Sequence, residues 1–184
     1  MRPEQISPLP TISAGRFLLR PIRPSDAGLI AEYMSDRGVA EGMRTIPHPL
    51  PPGAAAVYAA RATPAQTVED VWVLDGTAAS RGAVLGVVSL ARMDRGQSEI
   101  SFWVAPHLWN TGLASEAVAA IVAANPHASR TLFAEVFQDN PGSARVLVNA
   151  GFDYLGDAEA WSMARGRKVA TWTYVRKMGE APVK

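Results

Sequence analysis

Two periods alternate along the chain, and Pro, Gly, Asp and Asn separate them. Arg16–Ile22 (RFLLRPI) reads as a short strand closed by Pro21 and Pro24. Ser25 and Asp26 offer N-caps for a helix to about Met34, with Leu29, Ile30 and Tyr33 on one face. A helical turn is expected over Val39–Met43 and a loop over the proline-rich Thr45–Gly53. An Ala-rich helix is expected over Ala54–Ala62, with Pro52 near its start. Val68–Leu74 and Val84–Met93 are β-branched and read as strands. Gln97–Val104 alternates, with Ile100, Phe102 and Val104 on one face and Glu99, Ser101 and Trp103 on the other. The period changes at Leu113–Ala124, where Ala114, Ala117, Val118, Ile121 and Val122 form a helical stripe that Pro126 stops. Thr131–Phe137 reads as a strand. Residues 141–150 carry the best helix signals: Asn140 as N-cap, Pro141 at the first position and Gly151 as a left-handed stop. Phe152–Leu155 and Val169–Val175 close the chain as strands around a polar stretch, Ala164–Lys168. This order predicts a mixed α/β (α+β) domain with one central sheet.

Composition narrows the function. The 184 residues suit one domain, and 48% apolar content suffices for a core. Lys plus Arg is 18 against 17 for Asp plus Glu, so a nucleic-acid partner is not expected. There is no cysteine, which removes disulfides, thiolate metal sites and a cysteine nucleophile, and agrees with a cytoplasmic location. His48, His107 and His127 lie far apart without metal-ligand spacing, so no metal is expected. The longest apolar runs, such as Ala117–Ala124 and Ala83–Val88, are far shorter than the about 18 residues of a membrane span. The opening MRPEQISPLPTISAG has no signal-peptide core. Residues 1–14 are expected to form a Pro-rich N-terminal arm, 15–178 the domain and 179–184 a tail.

Two segments carry chemistry. In Glu99–Glu116 (EISFWVAPHLWNTGLASE) a strand runs into a loop that opens a helix at Gly112. The first N–H groups of a helix lack internal partners and sit at its positive end, which suits a phosphate, and a glycine admits close approach. The same glycine also serves a tight strand-to-helix turn. The second segment, Asn140–Phe152 (NPGSARVLVNAGF), by itself reads as a well-capped helix followed by a turn.

In this order and spacing, the two segments resemble the GNAT superfamily of acyl-CoA-dependent N-acetyltransferases, and more closely its RimJ/RimL-type branch. The first signature is matched by Glu99, Phe102-Trp103-Val104, Trp109, Gly112, Ala114, Glu116 and Ala117. The second is matched by Asn140, Ser143, Val146, Leu147, Gly151 and Phe152 with every spacing kept. LRPIRPSDAGLIAEYMSD looks like the family's first strand and helix, so the resemblance spans about Arg16 to Arg176. It implies a mixed, mostly antiparallel central sheet flanked by helices, with strands splayed at an acetyl-CoA site.

The resemblance also implies roles for residues. Backbone amides of Trp109, Asn110, Thr111, Gly112, Leu113, Ala114 and Ser115 would cradle the pyrophosphate of acetyl-CoA, although Trp109 stands where Gln or Arg is usual. Phe102, Trp103 and Val104 would pair with the pantetheine arm, the Val104 N–H facing the thioester oxygen, and Asn140 would contact the same arm. Glu99 would be the general base. The leaving-group tyrosine of many relatives is absent, Leu147 holding that region, and Ser143 is the candidate proton donor, with Tyr154 as a weaker substitute. Glu41, Met43, Arg44, His48 and Trp72, with Trp161, are candidates for the acceptor pocket. With no cysteine, acetyl would pass directly to a primary amine in a ternary complex. The acceptor would be a protein N-terminal α-amine or a small-molecule amine, and the chain a monomer or homodimer. The other reading is a non-catalytic CoA-binding sensor or interaction module of the same fold. No metal and no membrane partner are implied. A generic nucleotide binder is disfavoured, because neither G-x-G-x-x-G nor G-x-x-x-x-G-K-[ST] occurs.

Overall fold

The computed structural model describes residues 9–60 and 68–179. Residues 1–8 of the expected arm, 61–62 of the expected Ala-rich helix and 180–184 of the tail lie outside the described residues. In chain order the elements begin with β1 (Ile12–Ser13), β2 (Leu18–Pro21), α1 (Ala27–Met34), α2 (Arg37–Gly42) and α3 (Ala54–Ala60). The middle of the chain supplies β3 (Glu69–Asp75), β4 (Gly86–Met93), β5 (Gln97–Val104), α4 (Leu113–Ala124) and β6 (Thr131–Phe137). It ends with α5 (Pro141–Asn149), β7 (Asp153–Ser162) and β8 (Arg167–Lys177). The strands form one sheet in the order β1-β2-β3-β4-β5-β6-β8-β7. Every pairing is antiparallel except β5 with β6.

Strand alternation divides the core in two. On one face Trp72, Leu74, Val88, Leu90, Ile100 and Val104 pack under α4 and α5, through Val118, Ile121 and Leu147. On the other face Val71, Val73, Val87 and Trp103 meet α1, α2 and α3, through Ile30, Val39 and Ala59. β5, α4 and β6 occupy the ranges their patterns predict. β7 and β8 run longer than predicted. Most of β7 is exposed, so its ten residues lack the apolar signal of a strand and are fixed by main-chain pairing to β8.

Two differences from the sequence reading concern the N-terminal region. Residues 12–13 add a strand to the sheet edge, and the Pro10 carbonyl accepts from Trp72 Nε1 at 2.9 Å. The end of the expected arm is therefore built into the domain. Asp26 makes no side-chain cap on α1. It is buried, and its two oxygens accept from Arg20 Nη1 and Nη2, both at 2.8 Å, while Arg20 Nε donates to Asp75 at 2.6 Å. A buried guanidinium demands partners more strongly than a helix end open to water.

A second buried polar group joins β3, β5 and the loop before β6. His127 Nε2 lies 2.8 Å from Asp70 Oδ2, its Nδ1 2.9 Å from Ser98 Oγ, and Ser98 Oγ 2.8 Å from Ser129 Oγ. These partners assign Nε2–H donating to Asp70 and Nδ1 accepting from Ser98, in the neutral ring. The order of groups is that of a hydrolytic triad, but Ser98 is 1% exposed and lines neither cavity described below. Its role is structural. Burial holds the His127 pKa below its usual value, against the opposing hydrogen bond from Asp70. The unfolded chain therefore binds the extra proton first, near pH 6.5, and stability is lost as pH falls below that value. Thermal unfolding of the wild-type chain from pH 7.5 down to 5.5 should show a falling Tm, with a shallower fall in His127→Gln. Equal slopes would remove this assignment.

Candidate active site

β5 and β6 pair only over Gln97–Glu99 and Thr131–Phe133. Beyond Glu99 the two strands diverge, while β5 stays paired with β4 up to Val104. The Ala105 N–H donates to Leu85 O at 2.9 Å, so alternate residues of β5 face β4. By that alternation the main-chain groups of Phe102 and Val104 face the gap. The Val104 carbonyl accepts there from Trp109 Nε1 at 2.8 Å. A gap in a sheet floor, edged by N–H and C=O groups, is a docking strip for an extended amide chain.

The loop from β5 to α4 aims a second set of donors into the same gap. Asn110 has φ +60° and Gly112 φ +83°, the left-handed turn that starts α4. Thr111 Oγ1 donates to Leu108 O, and Arg16 Nη1 and Nη2 donate to Thr111 O at 3.1 and 3.2 Å. Arg16 also holds Glu116 of the first turn through its Nε at 2.5 Å, tying β2's approach to the loop. Trp109 lies against Gly38 of α2, where any Cβ would stand 2.7 Å from the indole. On the far side α5 starts at Asn140, whose Oδ1 accepts from Ser143 N at 3.3 Å.

Between these walls lies a cleft of about 680 Å³, large enough for a cofactor-sized ligand. Its lining runs from Phe102–Val104 through Leu108–Ser115 to Asn140, Ser143, Arg145 and Asn149, and includes Gly38, Val39, Glu41, Gly42 and Met43. A smaller cavity of about 40 Å³ continues it and shares Gly42, Met43, Phe102 and Ser143 with it. Arg44 and Glu135 are the charged residues of that inner cavity. Arg44 Nη2 donates to Glu99 Oε1, Arg44 Nη1 donates to Glu135 Oε2 at 2.5 Å, and Thr171 Oγ1 donates to Glu135 Oε1 at 2.6 Å. Glu99 stands at the last paired position before the fork. Burial first, and then the neighbouring Glu135, raise its pKa above the usual glutamate value, with Arg44 opposing.

Residues 16–153 match the model of the acetyltransferase (GNAT) domain family, about three quarters of the chain. The chain belongs to the GNAT family. Solved structures agree in fold. An acetyltransferase (GNAT family) from Bacillus anthracis superposes with a TM-score of 0.76 at 19% identity, over 92% of this chain and 99% of that one. RimJ of Mycobacterium smegmatis in complex with CoA-disulfide gives 0.74 at 20% identity, over 96% and 91%. Spermidine N-acetyltransferase of Vibrio cholerae, in complex with CoA and spermine, gives 0.73 at 14% identity, over 89% and 96%. No curated protein matches the chain by sequence.

Within this GNAT domain the residues expected at a cofactor site come together. Phe102, Trp103, Val104, Trp109, Asn110, Thr111, Gly112, Leu113, Ala114, Ser115, Asn140 and Ser143 all line the large cleft. Of the acceptor candidates, Glu41 and Met43 line it as well, and Arg44 lines the inner cavity. His48 is exposed and Trp161 is 58% exposed on β7, and neither lines a cavity. Tyr154 is also remote, its hydroxyl donating to Asp157 at 2.9 Å. Trp72 is 0% exposed in the core beneath α4 and is left out of the site. Glu99 lines neither cavity and reaches the inner one through Arg44. Glu135, Asp139 and Arg165 are additions. Arg165 donates to Asp139 at 2.5 Å and to the Glu41 carbonyl at 2.9 Å, closing the rim. Glu135 has a legible signal, since it is a lone charge in the apolar strand TLFAEVF. Arg165 has none, because it comes from the β7–β8 turn. Among the described residues no group of three or more His, Cys, Asp or Glu could hold a metal ion, and no helix is long and apolar enough to cross a membrane.

Proposed function

We propose that this chain transfers acetyl from acetyl-CoA directly to a primary amine, in a ternary complex. The observation that carries the reading is the single continuous cleft in which the unpaired edge of β5, the start of α4 and Ser143 meet, with a carboxylate-lined cavity at its inner end. The start of α4 would hold the pyrophosphate with backbone N–H groups and needs no basic patch. Phe102 and Val104 would pair with the pantetheine amides. That pairing sets the thioester near Ser143 and Phe102, which both cavities share.

The acceptor amine arrives mainly as an ammonium ion, since an α-amine titrates near about 8 and a lysine-type amine near about 10.4. Glu99 would take one proton through a water beside Arg44, at the edge of the inner cavity. The freed nitrogen pair attacks the thioester carbon, and the Val104 N–H stabilises the developing oxyanion. The C–S bond then breaks, Ser143 gives its proton to the thiolate, and the second proton leaving the acylated nitrogen returns through water to the serine oxygen. The products are an N-acetyl amide and CoA. Burial of Glu99 beside Arg44 and Glu135 supports an enzyme over a non-catalytic CoA-binding module, which has no use for a partly buried carboxylate pair there. A protein N-terminus and a small amine both fit this chemistry.

Calorimetry should find acetyl-CoA bound with a Kd within about 1 μM to 1 mM, the span of ordinary enzyme–substrate affinities. No heat at millimolar acetyl-CoA would end both readings. Binding without CoA release on any amine would leave the module.

A further inference from the structure

Two ion pairs at the cleft are matched one to one. Arg37 Nε donates to Glu41 at 2.7 Å, and Arg165 donates to Asp139 at 2.5 and 3.1 Å, one guanidinium to one carboxylate. At the fork, Arg44 alone serves both Glu99 and Glu135. Two carboxylates against one guanidinium leave one negative charge in excess. The fork is also the least hydrated of the three places. Side-chain exposure is 24% for Glu99, 17% for Glu135 and 35% for Arg44, against 75% and 32% for Arg37 and Glu41 and 14% and 56% for Arg165 and Asp139 at the rim. An excess charge there acts through a lower dielectric than at the rim. Thr171 Oγ1 fixes one oxygen of Glu135, and Glu135 faces a cavity of about 40 Å³. That volume suits an ammonium head or one or two waters.

Resting on the reaction argued above, we propose that the fork is a cation-selective acceptor site. Glu135 binds the incoming ammonium, and Arg44 is a positioning residue that holds both carboxylates. The site then discriminates against acceptors that carry a carboxylate close to the amine. Arg44 is the cation of the inner cavity and is already committed to two partners. An acceptor carboxylate would have to displace Glu99 or Glu135 from it and strand that group in a half-buried place. Alkyl amines, polyamines and peptide N-termini, where an amide follows the amine, fit this site. Free amino acids do not.

The test uses the full chain with acetyl-CoA and four probes read by CoA release: butylamine, 1,4-diaminobutane, 4-aminobutyrate and a pentapeptide amide with a free N-terminus. At least one carboxylate-free probe should exceed 4-aminobutyrate in kcat/KM by about tenfold or more, the scale of one like-charge contact at partial burial. Glu135→Gln should raise the KM of that acceptor by about tenfold with acetyl-CoA KM nearly unchanged, and should narrow the discrimination. Thr171→Val, which frees the Glu135 carboxylate without removing it, should move acceptor KM the same way by less. Thermal unfolding of each variant separates a loss of fold from a loss of recognition. Equal use of 4-aminobutyrate and butylamine, or an unchanged acceptor KM in folded Glu135→Gln, would overturn the proposal. So would acetyl-CoA binding with no turnover of any carboxylate-free probe. Failure to bind acetyl-CoA strikes instead at the acetyltransferase reading.

Discussion

Glu99→Gln is expected to lower kcat by about 10²- to 10⁴-fold, the usual contribution of a positioned general base. Gln keeps the shape of the side chain and an oxygen for Arg44, so acetyl-CoA affinity and Tm should hold. The wild-type pH profile gives an independent check. Only ionised Glu99 accepts a proton, and its pKa lies above the ordinary glutamate value because burial and the Glu135 charge outweigh Arg44. The acid limb of kcat/KM should therefore fall at a pH above the normal glutamate range. It should move higher still in Arg44→Gln, where the opposing cation is gone. A kcat for Glu99→Gln equal to wild type at every pH would take the base away from Glu99. Glu135, which meets the same guanidinium from the neighbouring strand β6, would be the next carboxylate to test.

The fold was legible where a segment's own pattern settles its structure. β5 shows strict alternation, α4 a helical stripe and α5 a cap, a proline and a stop glycine, and each appears as read. The large cleft was legible for the same reason, since the residues expected there lie in two contiguous segments and line it together. The inner cavity was not. Arg44 meets Glu99 across 55 residues and Glu135 across 91, and no period relates them. β3 misleads in another way. Its EDVWVLD has apolar residues on both faces, so the pattern cannot say which core each side chain enters. Val71 and Val73 turn toward α1–α3, while Trp72 and Leu74 turn toward α4.

Trp72→Ala should therefore be a stability variant and not a specificity variant. The side chain is 0% exposed, among the largest fully buried in the chain, and its Nε1 donates to the Pro10 carbonyl at 2.9 Å. Truncating a buried tryptophan costs about 3–5 kcal/mol through lost burial and the cavity left behind. In a domain of this size each kcal/mol moves Tm by about 2–4 °C, so a fall of about 10 °C is expected in differential scanning calorimetry. The cost also reaches the N-terminal edge, because the Pro10 carbonyl loses its donor and β1 its anchor on the sheet. Trp72→Phe separates the two contributions: it keeps most of the ring volume and forfeits the hydrogen bond, worth about 1–3 kcal/mol if the carbonyl stays dry. Both variants should show wild-type acceptor KM when assayed well below their Tm. A raised acceptor KM in Trp72→Phe with an unchanged Tm would place the indole at the acceptor site and would require β3 to present its other face to the cleft.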